Sequence, residues 1–221
     1  MKNSIAILFS LVIMILLSGC ANNTQPYDYS SFLKNKPKSI LVVMPTNESL
    51  DIKGSSATLA NTILPLSEAG YYVFPPALVN ETFKHHGITE PKEIRNISLD
   101  KLKEIFGADT VLYINVKKYG NNYSVITSST EIELEATLVD LNSSKTLWNK
   151  NTRFVKSSGD SGAGIIGMLV TAVITQIANE TKDQAYETSM ITNNILFATN
   201  CNDCILYGIH SPNFGKDAQL K

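Results

Sequence analysis

The chain has 221 residues, a formal net charge of -1 at pH 7 and 43% hydrophobic residues. The near-neutral balance, with lysines and glutamates interspersed, excludes a basic nucleic-acid-binding face and a long acidic tail, so we expect no nucleic-acid partner. The length is sufficient for one sizeable hydrophobic core, and we expect a single domain.

The amino-terminal residues have the three parts of a secretory signal peptide. A cationic start is followed by an apolar run over residues 5–17 and by two small residues that precede Cys20. The run is too short to cross a bilayer comfortably, since about 20 helical residues are needed. The pattern resembles a bacterial lipobox, which implies cleavage before Cys20, a diacylglyceryl group on its sulfur and a further acyl chain, such as palmitate, on its amine. Ala21 stands where an aspartate would resemble an inner-membrane retention signal, which favours the outer membrane.

The predicted organisation has three parts. Residues 1–19 form the signal peptide, residues 20–37 form the lipidated cysteine and a polar, proline-bearing tether, and residues 38–221 form the folded domain. The tether lets the domain stand off the membrane. Its Tyr27 and Tyr29 are aromatic and could dock on the domain, so the flexible part is expected to be shorter than the whole segment.

The first half of the domain has a parallel βαβ pattern. Continuous apolar runs at residues 39–44 and 71–74 predict strands, the first of them covered on both faces. Between them, residues 56–69 have helical spacing, which Pro65 must kink or end. Further elements are predicted as helices over residues 77–86 and 99–106, with Ser98 as an N-cap and Gly107 as a stop, and as a central strand over residues 108–117.

The second half has an antiparallel pattern. Gly120-Asn121-Asn122 indicates a hairpin turn, and residues 123–141 alternate apolar side chains with Glu131, Glu133 and Glu135. A return strand is predicted over residues 145–155. The three carboxylates could bind a cation weakly, but a solvated sheet face also explains them. The expected fold is therefore α/β, a single domain with a mixed sheet covered by helices.

A glycine-rich and then apolar stretch follows. Its wide apolar arc over residues 165–178 predicts a helix that covers the sheet, with self-association or membrane insertion as alternatives. The glycines lack the lysine of a phosphate-binding loop, and a further helix is predicted over residues 183–200. We take the stretch as a candidate interaction surface, formed by Gly159, Gly162, Gly164, Gly167, Leu169, Val173 and Ile177.

The remaining cysteines, Cys201 and Cys204, are two thiols in an exported chain and are expected to form a small structural disulfide. A redox-active pair is disfavoured, because the intervening Asn202 and Asp203 are polar and acidic, whereas a reactive thiolate needs positive surroundings or a helix start. A zinc site is disfavoured because no second CxxC or histidine pair accompanies the cysteines.

No catalytic constellation is evident from the sequence. His85 and His86 point about 100° apart on a helix, so they cannot chelate one metal from one face, although Glu81 and His85 could form a ligand pair. His210 is isolated. We expect no enzymatic activity and no cofactor beyond the acyl chains on Cys20.

Several segments together resemble one family. They are "PYDYSSF", "KPKSILVVMPTNES", "PLSEAGYYVFPPALVNETF", "IFGADTVLYI", "LVDLNSSKTLW" and "LYGIHSPNFGKD". This family comprises uncharacterised bacterial outer-membrane lipoproteins and includes a neisserial vaccine candidate. The resemblance implies a fold similar to the amino-terminal domain of TolB, with relatives among curli-secretion-type and penicillin-binding-protein-activator lipoproteins. It supplies no catalytic residue and assigns no role to Cys201 and Cys204, which we do not place within the family pattern.

These observations lead to two expectations of function. The first is a non-enzymatic adaptor at the periplasmic side of the outer membrane, which binds other envelope proteins in a secretion or transport assembly. The second is an oligomeric pore-forming lipoprotein of the curli-export type, built from copies of the chain.

Overall fold

The computed structural model describes residues 26–123, 128–157 and 183–221. The lipobox and the candidate surface from Gly159 to Ile177 lie outside these residues. In chain order the described elements are α1 (Ser30–Asn35), β1 (Ser39–Val42), β2 (Thr46–Asn47), α2 (Gly54–Glu68), β3 (Tyr72–Val73), α3 (Pro76–His85), α4 (Pro91–Ile94), α5 (Leu99–Phe106), β4 (Thr110–Tyr123), β5 (Ser128–Asp140), β6 (Thr146–Ser157), α6 (Gln184–Leu196) and a 3-10 helix (Ala218–Leu220).

The strands form one mixed sheet in the order β3-β1-β4-β5-β6. β1 is parallel to both of its neighbours, with Ile40 opposite Val73 of β3 and opposite Thr110 of β4. β2 follows β1 along the same side of β4 and is also parallel to it. β4, β5 and β6 form an antiparallel meander, in which Leu138 lies between Leu112 and Trp148. The predicted mixed α/β sheet with a central third strand is confirmed.

The parallel strands separate two hydrophobic clusters, as the continuous apolar run at residues 39–44 predicts. Successive side chains of a strand point to opposite faces. Ile40 and Val42 therefore pack with residues of α2 and α6. Leu41 and Val43 pack with residues of α3 and α5 on the other face.

Among the described residues, the meander is covered on both faces where β4 begins and β5 ends, since Val111 and Val139 pack in the second cluster, and on one face beyond that point. The apolar side chains of β5 are fully buried and face α6. The opposite face of β5 carries its three glutamates and lies open beyond α4. The members of the buried row are Ile132, Leu134, Ala136 and Leu138, as the period of two predicts.

The packed domain begins before the predicted boundary between residues 37 and 38. Tyr29 and Phe32 are each 4% exposed and belong to the larger core cluster. Phe32 lies in α1, a helix that the sequence analysis missed because its surroundings are polar. The packed part of the chain therefore includes residues from about Tyr27 onward, within the segment assigned to the tether.

The predicted helix over residues 56–69 is present as α2, which runs past Pro65 to Glu68. A proline in the last turn removes only one hydrogen bond of the helix, and Pro65 is buried there. One local prediction needs correction. The hairpin turn predicted at Gly120-Asn121-Asn122 is wrong: these residues continue β4, with Gly120 opposite Glu131. Pairing with β5 outweighs the local turn preference, and the connection falls in residues 124–127, outside the described part.

No helix within the described ranges has the length and apolar character needed to cross a membrane.

Candidate functional site

The tether enters the domain at the end of the sheet where β1 and β6 begin, which we call the base. The Tyr27 hydroxyl accepts a hydrogen bond from the Asn149 N–H at 2.9 Å. The Tyr29 hydroxyl donates to the carbonyl oxygens of Cys204 and, at 3.1 Å, of Asn202. Burial raises the pKa of Tyr29 to about 12, so the phenol stays neutral. The chain is thus fixed to the domain from Tyr27 onward.

The base is completed by the loop that carries the two cysteines. A disulfide joins Cys201 to Cys204, with Cα atoms 5.1 Å apart. Cys201 is exposed, whereas Cys204 is fully buried. Trp148 Nε1 donates to the Asp203 carbonyl at 2.9 Å, and Lys150 Nζ lies 2.9 Å from Asp203 Oδ1. This loop therefore bonds both to the tether and to β6.

A β-bulge in β4 brings two consecutive lysines to the open face of the meander. The register shifts between Val116 and Lys118, so Lys117 is the extra residue. Val116 and Tyr119 on either side of the lysines are both buried in the same core cluster. A bulge is the means by which adjacent side chains can share one face of a strand.

The glutamate row of β5 is paired with cations on a face that is solvated at Glu135 and largely shielded at Glu131. Glu131 is only 8% exposed. Hydrogen bonds from Arg153 and then from Lys118 lower the pKa of Glu131 below its usual value. The ion pairs of the row are Arg153–Glu131 at 2.6 Å, Lys118–Glu131 at 2.9 Å, Lys118–Glu133 at 3.8 Å and Lys117–Glu135 at 3.0 Å. A cation site is not needed to neutralise these carboxylates.

A crevice of about 340 Å³ opens beyond the carboxyl end of β1, between β2, β4 and α4. In open α/β sheets, ligands commonly bind where the strand order reverses. The order reverses at β1, because β3 and β4, which follow it in the chain, lie on opposite sides of it. Arg95 Nη2 donates to Thr46 Oγ1 at 3.2 Å and to the Ile114 carbonyl at 3.0 Å. Its guanidinium lies 5.2 Å from the centre of the Tyr113 ring. Partial desolvation lowers the pKa of Arg95, which still leaves it charged.

The end of the sheet opposite to the base, which we call the distal end, exposes two aliphatic side chains. Leu50 and Ile52, on the loop between β2 and α2, are 102% and 92% exposed. The neighbouring Lys53 pairs with Asp183, the N-cap of α6, at 3.1 Å. Ser157, the last residue of β6, pairs with Ser129 near the same end. The described residues that precede and follow the glycine-rich and apolar stretch, Ser157 and Asp183, therefore both lie at the distal end.

The carboxylate of Glu81, which the sequence analysis considered as a ligand beside His85, is engaged in an ion pair. Glu81 pairs with Lys84 at 2.9 Å, and His86 Nδ1 is 2.7 Å from the Thr82 carbonyl. His210 is exposed at the surface.

Within the described ranges, the group of metal-ligating residues whose ligand atoms lie within 4.8 Å of one another is Cys201, Asp203 and Cys204. Its two sulfurs are bonded to each other and are not free ligands.

The sequence analysis missed two functional cations, Arg95 in the crevice and Lys150 at the base. Arg95 is the C-cap of α4, a single turn with too few residues for a periodic signal. Lys150 occupies an inward position of β6, opposite the buried Ala136. The alternation of side chains around Trp148 places Lys150 on the core face of β6. A charged residue at a core position could therefore have indicated a buried cation from the sequence alone.

The fold and the site define a class: a single mixed α/β domain with a tether fixed at one end and exposed aliphatic residues at the other. A family model described as GNA1162-like matches residues 27–210. The lipoprotein NMB1124/NMB1162 of Neisseria meningitidis serogroup B is 43% identical over 203 residues, which are 91% of this chain and 94% of that protein. The chain belongs to the GNA1162-like lipoprotein family, as its sequence segments indicate.

A solved structure agrees with the fold. The crystal structure of lipoprotein GNA1162 from Neisseria meningitidis is 50% identical, with a TM-score of 0.56 over 65% of this chain and 99% of that chain. A PelC dodecamer from Paraburkholderia phytofirmans is 10% identical, with a TM-score of 0.38 over 61% of this chain and 79% of that chain. The second similarity is too low to support an inference about function.

Proposed function

We propose that the protein is a lipid-anchored, non-enzymatic adaptor of the outer membrane, which binds other envelope proteins as part of a secretion or transport assembly. Membership of a lipoprotein family and the lipobox at Cys20 support the anchor. The observation that carries the adaptor role is the separation of the two ends of the domain. The anchor enters at the base, whereas the exposed Leu50 and Ile52 lie at the distal end.

The short segment between Cys20 and Tyr27 keeps the base close to the bilayer. About seven residues separate Cys20 from Tyr27, and a fully extended chain of that length spans at most about 24 Å. Several acyl chains on one residue hold it firmly in the membrane. β5 has 13 residues and is therefore about 40 Å long. When the sheet stands upright, its distal end points away from the membrane towards other proteins.

The distal end has the composition of a protein-binding surface. Leu50 and Ile52 lie on one loop and are the most exposed aliphatic side chains among the described residues. The described residues that precede and follow the stretch from Gly159 to Ile177, the most apolar part of the chain after the signal peptide, lie at the same end of the domain. Contiguous exposed apolar surface marks sites of protein contact.

Site-directed photo-crosslinking in intact cells tests this proposal. A photoreactive amino acid at position 50 samples the distal end, and one at position 33, where Leu33 is 45% exposed in α1, samples the base. We expect defined envelope proteins to be captured from position 50 and not from position 33. The same products from both positions, or none from position 50, would argue against a distal binding surface.

The second candidate function is the oligomeric pore, which the glycine-rich and apolar stretch favours because small residues permit close helix packing. Capture of further copies of the chain from position 50, together with conductance in planar bilayers, would support it. Replacing Gly164 and Gly167 by bulky residues should then reduce the assembly size, and an unchanged size would argue against this surface.

A further inference from the structure

We propose that the Cys201–Cys204 disulfide is a site of thiol–disulfide exchange with a protein dithiol, and that Lys150 stabilises the thiolate released by the exchange. The proposal concerns the base of the domain and stands independently of the adaptor role. It rests on the position of a buried ammonium group against the two sulfur atoms, which the sequence analysis did not anticipate.

The side chain of Lys150 is only 9% exposed. Its Nζ lies 3.5 Å from Cys204 Sγ and 3.8 Å from Cys201 Sγ. Its carboxylate partner, Asp203 at 2.9 Å, is 52% exposed and is therefore partly screened by water. An ammonium gains little from a neutral disulfide, but it attracts a thiolate strongly at this distance where water is excluded. Reduction of this disulfide is therefore more favourable than reduction of a disulfide in neutral surroundings.

The two sulfurs have different roles in the exchange. Cys201 is exposed and accessible to an attacking thiolate, whereas Cys204 is buried beside Lys150. Cys201 Sγ also lies 3.8 Å from Asp203 Oδ1, whose negative charge disfavours a thiolate there. Cys201 is therefore the sulfur attacked, and Cys204 is the leaving group.

The reaction is balanced with a dithiol of the thioredoxin class as the reductant. Its thiolate attacks Cys201 Sγ, the disulfide bond breaks, and Cys204 Sγ leaves with the electron pair as a thiolate paired with Lys150. The second thiolate of the dithiol then attacks the mixed disulfide and releases Cys201, which takes up a proton. The partner is oxidised to its disulfide, the loop becomes one thiol and one thiolate, and one proton is released to solvent.

Exchange at this loop changes the hydrogen bonds that attach the tether to the domain. The carbonyl groups of Asn202 and Cys204 accept the hydrogen bonds of Tyr29, and the Asp203 carbonyl accepts that of Trp148. Opening of the disulfide frees the backbone that carries these acceptors. The emission of Trp148, the sole tryptophan of the chain, reports the change directly.

The test is a redox titration of the full-length lipoprotein in detergent micelles. The protein is equilibrated in a series of glutathione redox buffers, its thiols are trapped by alkylation, and the modified fraction is determined by mass. We expect the wild-type disulfide to be reduced within the series. In Lys150→Gln the equilibrium constant should shift about tenfold towards the disulfide, which equals about 30 mV for this two-electron couple.

Two further variants make the result specific. Lys156→Gln is the matched control, because Lys156 lies on the same face of β6 but pairs with Glu187 at 3.0 Å, and it should leave the equilibrium unchanged. Asp203→Asn removes the competing carboxylate and keeps the carbonyl that Trp148 uses, so it should shift the equilibrium towards the thiols. Because the shift expected for Asp203→Asn is opposite to that for Lys150→Gln, this variant tests the proposal even if Lys150→Gln does not fold.

The site of attack is tested with a thioredoxin-type protein whose second cysteine has been replaced. Such a probe should form a mixed disulfide with Cys201 and not with Cys204. A wild-type disulfide that resists the whole glutathione series, equal shifts in the Lys150 and Lys156 variants, or a mixed disulfide at Cys204 would overturn the proposal.

Discussion

Glu131 should contribute far more to stability than Glu135, although both project from the same face of β5. The Glu131 side chain is 10% exposed and accepts hydrogen bonds from Arg153 Nε at 2.6 Å and from Lys118 Nζ at 2.9 Å. The Glu135 side chain is 47% exposed and has one ion pair, with Lys117 at 3.0 Å. We therefore use Glu131→Gln as the perturbation and Glu135→Gln as its matched control.

The magnitude follows from these contacts. Hydrogen bonds to charged groups are worth about 1.5–3 kcal/mol each when shielded. The two cations that pair with Glu131 are 52% and 57% exposed and regain water when the carboxylate is removed. We therefore expect Glu131→Gln to lower the free energy of unfolding by about 1–2 kcal/mol. Glu135→Gln should cost less than about 0.5 kcal/mol, because exposed ion pairs contribute little.

Both losses of stability are measured by urea denaturation of a chain that begins at Ala21, with the fluorescence emission of Trp148 as the readout. Because the pKa of Glu131 is lowered from 4.5 in the folded state, its contribution is fully present above about 4.5 and is lost as the pH falls through the lowered value. The difference between wild type and Glu131→Gln should therefore shrink in acid. Equal losses for the two variants at pH 7, or a difference that persists in acid, would refute the reasoning.

Three further predictions follow from the packing around the base. In Gly70→Ala, the added Cβ would lie 2.4 Å from the Ser211 nitrogen at a φ of +95°, so we expect a loss of more than about 3 kcal/mol. The control Gly87→Ala has a φ of +76° and open space and should cost about 1 kcal/mol in thermal denaturation. Tyr29→Phe removes the hydroxyl that binds the disulfide loop and should cost about 1–2 kcal/mol, with faster proteolysis of the tether as a second readout; unchanged proteolysis would contradict the docking. Trp148→Phe shrinks a fully buried ring and removes the donor to the Asp203 carbonyl, so it should cost about 2–3 kcal/mol in urea; a loss below about 1 kcal/mol would contradict this expectation.

The parts of the fold that follow from local pattern were predictable. The period of two over residues 131–138 places the core row of β5 correctly, and the apolar run at residues 39–44 indicates a strand between two clusters. α5 begins after Ser98, whose hydroxyl accepts the Lys101 N–H, and ends at Gly107, whose φ is +65°. Each of these signals is carried by neighbours in the chain, so no tertiary information is needed.

The parts that depend on distant contacts were not predictable. Lys150 and Cys204 are far apart in the chain, and only the pairing of β6 with β5 and the return of the chain after α6 bring them together. The bulge at Lys117 could not be located, because Lys117 and Lys118 are chemically equivalent and either could be the extra residue. α1 was missed because its single buried residue, Phe32, has no periodic companion in the helix.

The bond between Tyr29 and the disulfide loop also constrains the order of folding. Tyr29 and Cys204 are separated by 175 positions, so the first packed residues of the chain contact nearly the last. A chain that enters a compartment amino terminus first cannot complete its base until residues beyond 200 have followed. Contacts of such high sequence separation form late. In the proposed lipoprotein, the amino-terminal end should therefore remain open to processing enzymes until translocation of the carboxyl terminus closes the base.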